Sequence, residues 1–277
     1  MHSISTARIH TIARAIVYPD KRDKLVNVID LLSEKQIPYL VVGGMSNLLI
    51  KSQVYNGVII KTTKLRTKNV AENIINVECG VRINEVIMQT APMNLGGMEG
   101  LCSIPGTVGG MVKQNAGAYG YEISDCFLEA LCYLPRECAF RRFSKEDMGF
   151  AYRESALSDK DIILINATFE LLERPQNEIV SRIKELRAKR SEAQPTQYPS
   201  LGSVFKRCNG IGAGYYIDRC GLKGYSVGGA SVSEKHAGFI VNTGGATAKD
   251  YLEVIEYVKN KVYAEFGIEL EEEIEII

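Results

Sequence analysis

The chain has 277 residues, enough for two or three modest domains and for a core able to grip a dinucleotide-sized ligand. Its 33 basic residues balance its 33 acidic ones. That balance excludes a global field for nucleic acid or an anionic membrane, so an anionic ligand must be held locally. Seven cysteines without a C-x-x-C pair read as reduced thiols of a cytoplasmic protein. No segment has the pattern of a signal peptide or the length of a membrane span. Nothing in the sequence calls for an obligate protein partner.

In chain order, Leu25, Val28, Ile29 and Leu32 recur at helical spacing and predict a helix from a capping Asp20 to Gln36. Tyr39 to Val42 is an apolar strand entering the turn Gly43-Gly44. The stretches GVIIKT and NIINVECG read as strands and VRINEVIMQTA as a helix. Residues 96 to 120 hold eight glycines, too many for a regular element and too patterned for a linker. Strands are expected at Cys126 to Tyr133 and Ile162 to Leu172, followed by a helix on Ile179, Ile183 and Leu186. The polar stretch 191 to 200 suits an interdomain connection. Beyond it come a strand-like GSVFKR, a short helix around Tyr215 to Cys220 and a strand in GFIVN. The last helix starts at Thr247, with Asp250 closing a capping box, and ends before Gly267. This alternation predicts an α/β (α+β) fold.

Gly43, Gly44, Met45, Ser46 and Asn47 follow a strand, where backbone N–H groups freed by glycine can cradle a pyrophosphate. Alone, two glycines after a strand make a plain turn, and GGMSNL is not G-x-G-x-x-G. Ile104, Pro105, Gly106, Thr107, Val108, Gly109 and Gly110, with Asn115, Ala116 and Gly117, are more specific. Their small residues let a flat ligand lie against main chain, with Thr107 and Asn115 supplying hydrogen bonds. The competing reading is a glycine loop packed on another backbone.

GGMSNLL, GLCSIPGTVGG with NAGAYG, YRES, GSVFKR, AGYYIDRCGLKGY, VSEKHAGFIVN and a terminal L-x-x-E-I together resemble, over nearly the whole chain, the successive blocks of the MurB reductases. FKR and the short length resemble the compact Gram-positive branch. The resemblance implies an FAD-binding fold of the vanillyl-alcohol-oxidase (PCMH) type. Its expected divisions are 1–63 with 268–277 returning to it, 64–195, and a substrate domain over 196–267. It implies NADPH-linked reduction of UDP-N-acetylglucosamine enolpyruvate to UDP-N-acetylmuramate for peptidoglycan, with FAD held by the two glycine-containing segments. Cofactor chemistry then belongs to the flavin, and the protein supplies position and charge.

Hydride delivery to an enol ether puts carbanion charge beside the substrate carboxylate, so the site needs a fixed cation and an acid. Arg153, beside Tyr152, suits the first need, although alone it reads as a surface arginine in a salt bridge. Ser203 is the family's proton donor and would need help from Lys206 or Arg207; on an extended segment Arg207 shares its face and Lys206 does not, which leaves the helper open. The resemblance selects Glu273 from an acidic run that otherwise reads as a solvated edge strand. Tyr152, Lys206 and Arg207 are expected to touch substrate. Of His2, His10 and His236, only His236 lies in a signature block, where a structural role is expected. No cluster suggests a metal.

The chain departs from the family where T-T-F-R-I-G-G-x-A becomes Thr6 to Ala13, with His10 and Thr11 in place of the glycines, and at Met45, Ser103 and Cys208. The first three departures add side chain near the expected cofactor path, so Met45→Gly is expected to tighten FAD binding. The rival readings are a paralogue acting on another unsaturated substrate and a non-catalytic UDP-sugar-binding protein without flavin.

Overall fold

In the computed structural model of the chain, which describes residues 5–277, the first amphipathic helix spans Arg22–Glu34 and buries Leu25, Ile29 and Leu32. Its N-cap is Lys21, without a side-chain cap; Asp20 instead pairs with Lys24 at 2.8 Å one turn on. His2 lies outside the described residues.

Packing divides the chain into two units, one formed by residues 13–44 and 56–189, the other by residues 1–12, 45–55 and 190–277. In the first, Tyr39–Val42 pairs in parallel with Val54–Lys61, and Ile12–Val17 completes a three-stranded sheet. A five-stranded antiparallel sheet has the order Ala139–Ser144, Phe127–Leu134, Ile163–Glu170, Ile74–Glu78, Lys68–Ala71. Alternating side chains of its middle strands, among them Ile75, Val77, Ala130, Cys132, Ala167 and Phe169, point into one apolar core.

The glycine-rich stretch 96 to 120 is more regular than its composition suggests, because Val108–Lys113 forms a short helix containing Gly109 and Gly110. Tertiary contact overrides propensity here. Val108 N–H donates to the Val81 carbonyl at 2.8 Å and Gly109 N–H to that of Cys79 at 2.9 Å. A Cβ on Gly109 would stand only 3.2 Å from the Cys79 Cβ, so glycine lets the helix lie on that backbone.

In the second unit, an antiparallel sheet runs in the order Ser200–Ser203, Phe239–Asn242, Ala230–Val232, Ser226–Val227. The strand expected over GSVFKR stops at Ser203; Phe205 then bridges to Glu272. The helix Ala248–Phe266 packs on this sheet. As its sequence predicts, Thr247 Oγ1 accepts the Asp250 N–H at 3.1 Å, Asp250 accepts the Thr247 N–H at 2.9 Å, and Gly267 ends it at φ 66°. Its buried face is Tyr251, Val254, Ile255, Val258 and Val262, each side chain contributing roughly 1.5–3 kcal/mol on full burial. Glu275–Ile276 pairs in parallel with Leu48–Leu49, joining the end of the chain to the segment after the first glycine turn.

Candidate functional site

In the first unit the parallel strand pair delivers Gly43 and Gly44 to the sheet edge beside Thr107. An added Cβ on Gly43 would fall 2.0 Å from Thr107 Oγ1, so only glycine fits, and Gly44 lies against the Gly106 backbone. Thr107 is 2% exposed, yet its hydroxyl has no hydrogen-bond partner. A buried unmatched hydroxyl costs about 1–3 kcal/mol, which a bound acceptor would offset. The orphaned hydroxyl and the glycine cradle fit a phosphate-bearing cofactor. Lys61, opposite Val42 in the parallel pair, brings positive charge to the same sheet end; burial lowers its pKa and the charge of Arg82 adds to the effect. Ile104 and Gly106 are half-buried and Pro105 exposed.

Asn115, expected to offer hydrogen bonds to the cofactor, has none to spare from its side chain. Its amide nitrogen donates to Glu122 and to the Ala151 carbonyl, both at 3.1 Å, and its oxygen accepts the Ser124 N–H at 3.3 Å. Ala116 and Gly117 remain half-buried. Arg153 is half-buried, with its guanidinium donating to the Gly117 carbonyl at 3.1 Å and lying 4.9 Å from the centre of the exposed Tyr152 ring. Its φ of 60° is left-handed, a costly state for a residue with a Cβ and one frequent at functional sites. No sequence signal foretold it.

The second unit brings Ser203 and Glu273 onto neighbouring segments. Glu273 N–H donates to the Val204 carbonyl at 2.7 Å, and Val204 N–H to that of Gly238 at 2.9 Å. Ser203 is half-buried, its hydroxyl donating to the Phe205 carbonyl at 3.2 Å. Lys206 forms an ion pair with Glu271, and Arg207 donates to the Gly210 carbonyl at 3.4 Å. His236 Nδ1 accepts the Gly238 N–H at 3.1 Å, and burial lowers its pKa. A Cβ on Gly238 would meet His236 Cε1 at 3.0 Å and Ser203 Oγ at 3.6 Å, so both side chains crowd one glycine. Sequence reasoning gave His236 no place beside Ser203.

Asn47 donates to the Glu273 carbonyl at 3.0 Å, while Ser46 is half-buried. Met45 is 6% exposed at φ 53°, shares a small recess with Ser5, Ile9, Thr11 and Leu49, and accepts the Thr6 N–H on its carbonyl. Its nearly buried side chain thus borders a recess lined by the amino-terminal segment, where His10 and Thr11 replace the glycines expected there. Among the described residues, no group of three or more His, Cys, Asp or Glu could hold a metal ion.

The architecture is that of a mixed α/β protein of two units, the first with a glycine cradle suited to a phosphate-bearing cofactor. Residues 13–137 match the FAD binding domain family, and residues 194–277 match the C-terminal domain of UDP-N-acetylenolpyruvoylglucosamine reductase. The enzyme of that name from Caldicellulosiruptor saccharolyticus is 42% identical, covering 100% of this chain and 90% of its own. That of Clostridium perfringens strain SM101 is 40% identical over 96% of this chain and 87% of its own. The crystal structure of MurB from Thermus caldophilus superposes with a TM-score of 0.84 at 33% identity, covering 99% of this chain and 95% of that one. A solvent-stable cholesterol oxidase shares the fold alone, with a TM-score of 0.51 at 16% identity over 61% of this chain and 36% of its own. The chain belongs to the UDP-N-acetylenolpyruvoylglucosamine reductase family.

Proposed function

We propose that this chain reduces UDP-N-acetylglucosamine enolpyruvate to UDP-N-acetylmuramate for peptidoglycan, with NADPH as reductant and FAD as cofactor, in the cytoplasm. The observation that carries the reading is whole-length kinship, at 42% identity, with a reductase of that name. Bound FAD would supply the two-electron redox chemistry between NADPH and the enolpyruvyl group.

The residues supply the rest. Gly43, Gly44, Ser46 and Asn47, the segment 104–110 and the main chain of 115–117 hold the cofactor, with Thr107 giving its unmatched hydroxyl to an acceptor. Arg153 grips the substrate carboxylate and stabilises the negative charge developing beside it, and Glu273 is the carboxylate that works with it around the enol form of the substrate. Ser203 gives its hydroxyl proton to the carbon that has gained an electron pair. Tyr152, Lys206 and Arg207 contact the rest of the substrate. The subdomain division 1–63 with 268–277, 64–195 and 196–267 belongs to the same proposal.

The test is to release the cofactor by acid, identify it as FAD, and then follow the flavin of the holoprotein. NADPH should bleach it and the UDP-enolpyruvyl sugar restore its colour, with free phosphoenolpyruvate ineffective. A flavin that NADPH cannot reduce, or that the sugar cannot reoxidise, would overturn the reading.

A further inference from the structure

The turn that carries Arg153 is tied to one short segment at three points. Ala151 and Glu154 close the turn through paired backbone hydrogen bonds of 3.1 and 3.2 Å, leaving Tyr152 and Arg153 at its tip. Ser155 Oγ donates to the Lys113 carbonyl at 2.9 Å. Asn115 donates to the Ala151 carbonyl at 3.1 Å, and Arg153 itself donates to the Gly117 carbonyl at 3.1 Å.

Asn115 is the hidden member of this clamp, at 2% exposure. A primary amide has two N–H donors and one carbonyl. Here one donor goes to Glu122 and the other to Ala151, while the carbonyl accepts the Ser124 N–H. Its side chain has no donor left for a phosphate or a flavin ring. Its φ of 36° is left-handed, a region that Asn tolerates better than most residues.

We propose that Asn115 is a positioning residue for Arg153, fixing the turn from which the guanidinium reaches the substrate carboxylate, and is not a side-chain ligand of the cofactor. This rests on the reading of Arg153 as the carboxylate-gripping residue. Arg153 occupies a left-handed conformation that only its surroundings can impose, and the Ala151 carbonyl held by Asn115 is where the turn is pinned. Freed from that pin, the turn relaxes and the guanidinium drifts. A displacement of about 1 Å can cost on the order of a hundredfold in rate.

The experiment is a double-mutant cycle on the FAD-loaded protein. Asn115→Gly removes the amide and accepts the backbone conformation; Asn115→Asp keeps the shape, loses the donors, and serves if the glycine variant does not fold. Each is combined with Arg153→Ala. Stopped-flow absorbance follows flavin reduction by NADPH and reoxidation by the UDP-enolpyruvyl sugar, and fluorescence titration of the apoprotein gives FAD affinity.

The single Asn115 variants should slow reoxidation by roughly 10- to 100-fold. In the Arg153→Ala background the same change should matter by no more than about twofold, since residues acting through one another are not additive. Because the main chain at 115 also holds the cofactor, FAD affinity and flavin reduction can fall somewhat, but by a smaller factor than reoxidation slows. Equal slowing in both backgrounds would overturn the proposal, as would a loss of FAD affinity with normal reoxidation. Unimpaired reoxidation in Arg153→Ala alone would instead defeat the role assigned to Arg153, and this inference with it.

Discussion

The side-chain amide of Asn47 donates to the main-chain carbonyl of Glu273 at 3.0 Å, and the Glu275 N–H returns to the Asn47 carbonyl at 2.8 Å. The segment after the glycine turn thereby holds the main chain of the carboxylate assigned to the reaction. Asn47→Ala should cost roughly 1–3 kcal/mol of stability, because the half-buried Glu273 carbonyl loses a donor. It should also slow flavin reoxidation by substrate more than it weakens FAD. Urea denaturation and half-reaction kinetics check both points; unchanged reoxidation with greatly weakened FAD would return Asn47 to the cofactor alone.

Met45→Gly sets two effects against each other. Glycine relieves the left-handed φ of 53°, a gain of about 1 kcal/mol. It also empties a nearly buried side chain out of the recess shared with Ile9, Thr11 and Leu49, where truncation of a methionine typically costs about 2–5 kcal/mol. The loss outweighs the gain. The variant should melt several degrees lower and bind FAD no more tightly, reversing the expectation drawn from sequence. Tighter binding at unchanged melting temperature would show that the side chain obstructs the cofactor.

Burial, with the charge of Lys223 adding to it, holds the pKa of His236 below its ordinary 6.5. The unfolded chain therefore takes up this proton at higher pH than the folded one. The contribution of neutral His236 to stability is fully present above about pH 7 and is lost as pH falls from 6.5 through the folded pKa. The Gly238 N–H donated to Nδ1 supplies the local reason, since protonation there would remove the acceptor. His236→Gln should lose less stability between pH 7.5 and 5.5 than the parent, in paired urea titrations. An equal loss in both proteins would place the pH dependence elsewhere.

Elements with local signals were legible in the sequence: the strand Tyr39–Val42, the capping box at Thr247 and the buried face of the helix it starts. The helix Val108–Lys113 was not, because its stability comes from lying on the backbone of Cys79 and Val81. The small residues of the site were legible as a pattern, whereas the duties of particular side chains were not. Asn115 reads as a ligand until its three partners are known, two of them, Glu122 and Ser124, in one following segment and the third, Ala151, in the turn that carries Arg153. The acidic run hid Glu273 because charge alone cannot separate it from its neighbours. In space Glu271 pairs with Lys206 and Glu272 with Lys259, and the Glu273 main chain is anchored by Val204 and Asn47.

Protonation of the reduced substrate by Ser203 is tested most directly by separating the two half-reactions in Ser203→Ala. NADPH should bleach the flavin at close to the parental rate, since that step involves no substrate proton. Reoxidation by the UDP-enolpyruvyl sugar should slow by roughly 100- to 10,000-fold, the range for loss of one acid, and Ser203→Cys should recover part of the rate. Reoxidation at the parental rate in Ser203→Ala, or equal slowing of both steps, would contradict the account.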